Sequence, residues 1–233
     1  MGRGRSGSTA GVTKLTGTDG KPIYLDTPLV YGGDDTALSG TIRSVIEDFE
    51  SKRYRNKVEF ARVVDENGRV IEERRGGRGS VGISVRAANA GKVLSHNHPR
   101  SGGLLGGTFS VEDISGFVRA DLSIYRATAA EGTYSIAKGR NFNFHGLLEY
   151  YKQAHKENFA KYQEATKDSN DSYNAVSKAY RKGEKTYAEV MTAYDKAVEV
   201  NNKAFNQFLV ANHNALRDGQ KKYGYTYTLE RRK

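Results

Sequence analysis

The chain uses two hydrophobic periods in turn. Over residues 35–54, Leu38, Ile42, Val45, Ile46 and Phe49 recur at steps of three and four, which places them on one face of a helix. The period then shortens. Val58, Phe60, Val63 and Val64 precede Asp65-Glu66-Asn67-Gly68, and Val70 and Ile71 follow it. Two β-branched runs around Asn-Gly predict a hairpin, because both turn residues tolerate the left-handed backbone of a tight turn. Residues 80–86 and 92–95 read as further strands. A Ser cap opens a helix over 110–120, and 122–128 and 133–138 read as two more strands.

After His145 the pattern is helical and no proline interrupts it. Leu148, Tyr151, His155 and Tyr162 form one stripe. Tyr173, Val176 and Tyr180 form a second, closed by Gly183 as a C-cap. A third runs from Tyr187 through Val190, Met191, Tyr194, Val198, Phe205 and Phe208 to Leu209, and Thr186 with Glu189 gives it a capping box. Tyr173, Tyr180, Tyr187 and Tyr194 are spaced as in a heptad, but Gly183 breaks the run. Consecutive antiparallel helices are therefore expected rather than one coiled coil. Residues 223–229 alternate Tyr with small or hydroxyl residues and read as a terminal strand returning to the sheet. Residues 1–20, rich in Gly, Ser, Thr and Arg without a period, read as a flexible basic arm. The expected organisation is an α/β (α+β) domain over 21–144, a mixed sheet with flanking helices, followed by an α-helical extension over 145–233.

Composition narrows the chemistry. There is no Cys, which removes disulfides, thiol nucleophiles, Cys-based zinc fingers and iron–sulfur clusters. Any transition metal has to be held by the five His and the carboxylates. No run of about 18 apolar residues is present to span a membrane, and the basic N-terminus lacks the apolar stretch of a signal peptide. A cytoplasmic or virion-associated protein is the expectation.

One stretch carries chemistry: Ser95-His96-Asn97-His98-Pro99, a loop, then Ser110-Val111-Glu112-Asp113. Two His separated by one residue at a strand end point to the same side, because strand side chains alternate. Asp113, in the first turn of the next helix, is placed to return as a third ligand. Two His and one carboxylate with an open fourth position form a catalytic zinc set, which makes water nucleophilic near neutral pH. The other three histidines, His145, His155 and His213, have no partners at ligand spacing and are assigned to packing or surface.

His96-Asn97-His98-Pro99 followed by Ser110-Val111-Glu112-Asp113 resembles the H-x-H-P…S-x-x-D signature of the JAMM (MPN, Mov34-like) metalloproteases. The Asn between the histidines makes it most similar to the RadC-like branch and to related bacterial and phage proteins. The resemblance covers about residues 40–140 and rests on motif plus context. It implies that His96, His98 and Asp113 hold Zn2+, and that Ser110 helps stabilise an oxyanion. It also implies that a Glu on an early strand deprotonates the water, for which Glu59 is the counterpart and Glu47, Glu50, Glu66 and Glu72 are alternatives. The implied reaction is cleavage of a peptide or isopeptide bond in a protein substrate. Fourteen residues, Pro99 to Glu112, separate His98 from Asp113. That exceeds the family's usual spacing and predicts a longer, flexible loop, a lid over the site.

Charge adds a second line. The chain carries 37 Lys plus Arg against 27 Asp plus Glu, a net +10. The excess is even, with 21 basic against 16 acidic residues before His145 and 16 against 11 from there on. Clusters at 52–57, 74–78 and 231–233 can meet phosphates, but no nucleic-acid module accompanies them, so a nucleic-acid partner is not favoured over a solvated basic surface. The helical half holds ten of the fifteen Tyr, which suits homo-oligomer or protein-partner interfaces as well as wet cores. A structural or assembly protein of phage or mobile-element type, without peptidase activity, is therefore the first alternative. A nucleic-acid-associated RadC-like protein is the second.

Overall fold

The computed structural model describes residues 11–33 and 38–232. Strands β1 (Gly11–Thr16) and β2 (Pro22–Val30) form an antiparallel pair. The first of these lies where the composition predicts an arm; residues 1–10 of that arm are outside the described residues. The short β3 (Gly32–Gly33) leads to helix α1 (Gly40–Arg53), then to β4 (Phe60–Val64) and β5 (Val70–Arg75). The hairpin turn between them is closed by Asp65, whose Oδ1 accepts from the amides of Asn67 and Arg69, each at 2.9 Å.

Residues 80–86 do not form the expected strand. The segment is irregular and ends in helix α2 (Val85–Ala90). Gly82 gives a strand little to pack, while Ser84 is an N-cap whose hydroxyl accepts from the Ala87 amide at 3.1 Å. Glu72 on β5 accepts from the Ser84 amide and hydroxyl and so fixes that cap.

Strand β6 (Val93–Asn97), helix α3 (Val111–Arg119), β7 (Ile124–Thr128) and β8 (Thr133–Lys138) complete the central unit. Helices α4 (Phe144–Arg181) and α5 (Tyr187–Tyr223) then form an antiparallel hairpin, and β9 (Tyr225–Glu230) returns to the sheet as its spacing predicts. The first two helical stripes belong to one helix. Nothing between Tyr162 and Tyr173 stops it, and it runs 38 residues to Arg181, roughly 57 Å at 1.5 Å per residue.

The seven-stranded sheet has the order β3-β9-β8-β7-β6-β4-β5. Only β6 and β7 are parallel, with α3 as the crossover between them. Alternation divides the two faces. Leu94 and His96 on β6, Tyr125 and Ala127 on β7, and Tyr134 and Ile136 on β8 share one face by register. That face is buried under α3 and the sheet-proximal parts of α4 and α5, in a core that includes Phe117, Leu147, Tyr151, Phe208 and Leu209. The other face packs on α1 through Ile42, Ile46, Val64 and Val93.

Beside that small cluster lies a buried polar layer. Arg126 pairs with Glu50 of α1 at 2.7 Å and with Glu230 of β9 at 3.1 Å, and Ser95 donates to Glu50 at 2.8 Å. Among the described residues, no helix is long and apolar enough to cross a membrane.

Candidate metal centre

The site forms at the C-terminal end of β6, where a strand buried on both faces carries His96 to the cavity side. Its neighbour Asn97 does something else. The Asn97 side chain accepts from the Phe60 amide at 2.7 Å and donates to the Val58 carbonyl at 3.1 Å. It thereby extends the β4–β6 ladder by one step with a side chain in place of backbone. The residue held between those two contacts is Glu59. Cross-strand register sets Ala61 opposite His96, so Glu59, two residues earlier on β4's approach, emerges on the same face. Motif matching gives no role to Asn97; the position of its amide supplies one.

His98, just beyond the strand, turns back so that its Nε2 lies 2.8 Å from His96 Nε2. The carboxylate of Asp113 approaches from α3, with Oδ1 3.5 Å from His96 Nε2 and Oδ2 3.7 Å from His98 Nε2. These donor atoms lie within 4.8 Å of one another and can hold a metal ion. The fit is close: ligands about 2.1 Å from a tetrahedral ion stand roughly 3.3–3.4 Å apart. Two ring nitrogens facing each other beside a carboxylate need a proton or a cation between them, and the ligand types suit a borderline divalent ion.

Helix α3 presents Asp113 through its own capping. Ser110 is the N-cap; its Oγ accepts from the Asp113 amide at 3.0 Å, and its amide donates to Asp113 Oδ2 at 2.8 Å. The Ser110 hydroxyl also donates to Oδ2, at 2.9 Å. On the other side, Tyr125 donates to Oδ1 at 2.9 Å, and its ring stacks on His96 with centroids 5.0 Å apart. Oδ2 thus has two donors already, whereas Oδ1 has one and keeps a lone-pair direction free for an ion. Tyr125 is a residue that sequence reasoning missed. Its place on β7, one sheet neighbour from β6, is fixed by a parallel pairing that no local pattern reveals.

The electrostatics follow from burial and proximity. Burial opposes the Asp113 charge, yet the two imidazoles outweigh it and hold the carboxyl well below its usual range. Burial would lower His98, but Asp113 and the Gly107 carbonyl raise it on balance. Burial pushes Glu59 up, against the pull of His96 and His98. Burial and the Asp113 charge hold Tyr125 well above the ordinary phenol range, so it remains a donor.

A cavity of about 760 Å³ opens onto these groups. Glu59, His96, His98, Ser110 and Asp113 all line it. The alternative carboxylates do not. Glu50 is ion-paired on the opposite face of the sheet, Glu72 is bound to Ser84, and Glu47 and Glu66 are exposed on α1 and the hairpin turn. His155 of α4 and Phe205, Phe208 and Leu209 of α5 form the far wall. The helical hairpin thus shapes the cavity, a contribution that sequence position alone does not announce.

The loop after Pro99 is not a lid. Leu105, Thr108 and Phe109 are buried, and α5 fastens its start through Asn202 to the Gly102 carbonyl and Asn206 to the Leu105 amide, at 3.1 and 2.9 Å. No family model, no curated protein and no solved structure matches the chain.

Proposed function

We propose that this chain is a zinc-dependent metallohydrolase of JAMM-like type, cleaving a peptide or isopeptide bond. One observation carries the reading: two imidazoles and a carboxylate converge in a cavity whose wall also holds a buried, protonatable carboxylate. A divalent ion held by His96, His98 and Asp113 would supply Lewis acidity, making water acidic near neutral pH and polarising a carbonyl.

The remaining chemistry falls to the chain. Glu59 takes a proton from the attacking water and returns it to the departing nitrogen; its raised affinity for the proton suits both steps. Asn97 holds Glu59 in place through the backbone on either side of it. Ser110 lines the cavity at the helix start, where its hydroxyl can turn from Asp113 toward a developing oxyanion. The hydrophobic wall of α5 limits bulk water.

Metal analysis of the purified protein tests this. Wild-type chain is expected to hold one zinc per chain, and His98→Ala none. Zinc-free wild-type protein, after purification without chelators and supplementation with zinc, would sink the proposal.

A second reading has its own observation. The sheet-distal part of the helical hairpin exposes Tyr180, Tyr187, Tyr194 and Val198, a surface suited to assembly. Light scattering separates the two readings: a stable zinc-binding monomer argues against a structural role.

A further inference from the structure

Glu131, in the turn between β7 and β8, is only 4% exposed and forms no ion pair among the described residues. A buried carboxylate is costly unless hydrogen bonds satisfy it, and three do. Oε1 accepts from the Gly107 amide at 2.7 Å and from the Tyr134 hydroxyl at 2.9 Å, and Oε2 accepts from the Gly106 amide at 3.1 Å. Two successive peptide amides are thereby clamped on one side chain. The loop they belong to accepts no side chains at these points. A Cβ on Gly106 would stand 2.3 Å from the Ala129 Cβ, and one on Gly107, at φ +84°, would stand 2.7 Å from Leu209.

The other end of the Gly107 residue faces the metal centre. Its carbonyl oxygen lies 2.9 Å from His98 Nδ1. A carbonyl only accepts, so Nδ1 carries the proton and Nε2, the atom facing His96 and Asp113, presents its lone pair. His96 has no such hydrogen bond: among the described residues its buried Nδ1 has no partner. Stacking on Tyr125 holds the His96 ring, whereas the hydrogen bond that sets the orientation of His98 comes from the clamped loop.

We infer that Glu131 is a positioning residue for the metal centre: its carboxylate fixes Gly106 and Gly107 so that the Gly107 carbonyl holds His98 with Nε2 free for a divalent cation. This role rests on the metal-site reading above. It also gives the extra residues between His98 and Asp113 a purpose, as a strap that orients a ligand.

The test is zinc affinity, measured by competition with a chromophoric chelator, in wild-type protein and in Glu131→Gln. The amide keeps the size of the side chain but sets an N–H2 group against peptide donors. Zinc is expected to bind the variant at least tenfold more weakly, the scale for partners that orient a ligand histidine, and the visible band of the cobalt-substituted protein is expected to shift. A folded variant that binds zinc within about twofold of wild type overturns the inference, by the same scale. A measurement on unmutated zinc-loaded protein guards against a variant that does not fold. Imidazole 15N shifts should show His98 protonated at Nδ1 and ligated through Nε2, with slow exchange of the Gly106 and Gly107 amides. Ligation through Nδ1, or fast exchange at both glycines, overturns it equally. Failure of wild-type protein to bind zinc would instead remove the metal-site reading on which it rests.

Discussion

Two side chains outside the candidate ligand set bear on the proposed centre. Tyr125 donates to Asp113 and stacks on His96, so Tyr125→Phe keeps the stacking and removes one hydrogen bond. Loss of such a partner weakens metal binding by about 10–100-fold, and chelator competition should read a loss in that range. Glu59 is different. Under the proposed function Glu59→Gln leaves the three candidate ligands in place, so zinc stoichiometry should remain at the wild-type value. Hydrolysis of a substrate found by peptide-library screening should then fall by about 10²-fold or more, the usual contribution of a general base. A variant that loses its zinc would identify Glu59 as part of the ligand sphere instead. At this scale the sequence was legible for His96, His98 and Asp113 as a converging set, because a strand period of two and a helix first turn direct them to one side. Asn97, Tyr125 and Glu131 were not legible. Their roles depend on backbone groups or ligands supplied by other strands and loops, and their residue types are common in any sheet.

Elements whose signals are local came out as expected. The hairpin β4–β5, helix α3 with Ser110 as its cap, the Thr186–Glu189 capping box and the terminal strand β9 were each readable from a few adjacent residues. Segments 11–16 and 80–86 were not, for opposite reasons. The first has almost no apolar period of its own and becomes a strand by pairing with β2, whereas the second has valine and isoleucine but surrenders them to a glycine-rich loop and a Ser84 cap. The attachment of α1 depends equally on tertiary context. The sequence offers Glu50 only as an alternative general base, because its partner Arg126 lies far along the chain on β7. Glu50→Ala leaves that guanidinium buried beside only the half-exposed Glu230. Breaking a buried pair from one side costs about 3–5 kcal/mol, so urea denaturation should show a large loss of stability. A loss below about 1 kcal/mol would assign the pair to the category of exposed ion pairs.

At the scale of the molecule, the helical hairpin and the sheet share one core, and a chain of hydrogen bonds runs through it. Thr108 of the strap meets the Tyr227 hydroxyl of β9 at 2.8 Å, that hydroxyl meets His213 Nδ1 of α5 at 2.9 Å, and His213 Nε2 meets the Val30 carbonyl at the end of β2 at 3.0 Å. The Val30 carbonyl only accepts, so Nε2 carries the proton, Nδ1 accepts from Tyr227, and Tyr227 accepts from Thr108. Four separate segments are joined by a relay that requires a neutral imidazole. The ring is fully buried, with Tyr134 and Tyr227 against it. Burial lowers its pKa from 6.5 to about 4, assisted by the Arg217 charge and opposed by the Val30 carbonyl. An unfolded chain returns the group to its ordinary value. As pH falls through 6.5 the unfolded state takes up a proton that the native state refuses until about pH 4. Stability contributed by His213 is therefore complete above pH 7 and falls across that window, by about 3 kcal/mol in all. Urea denaturation at several pH values between about 7.5 and 4.5, run beside His213→Gln, isolates the contribution of His213, because the acidic groups common to both chains cancel in the difference. The variant is expected to be less stable at neutral pH, since the relay is broken, and to lose stability less steeply on acidification. Curves that descend in parallel would mean that His213 is not held neutral, and that the junction of strap, hairpin and sheet tolerates a charge at its centre.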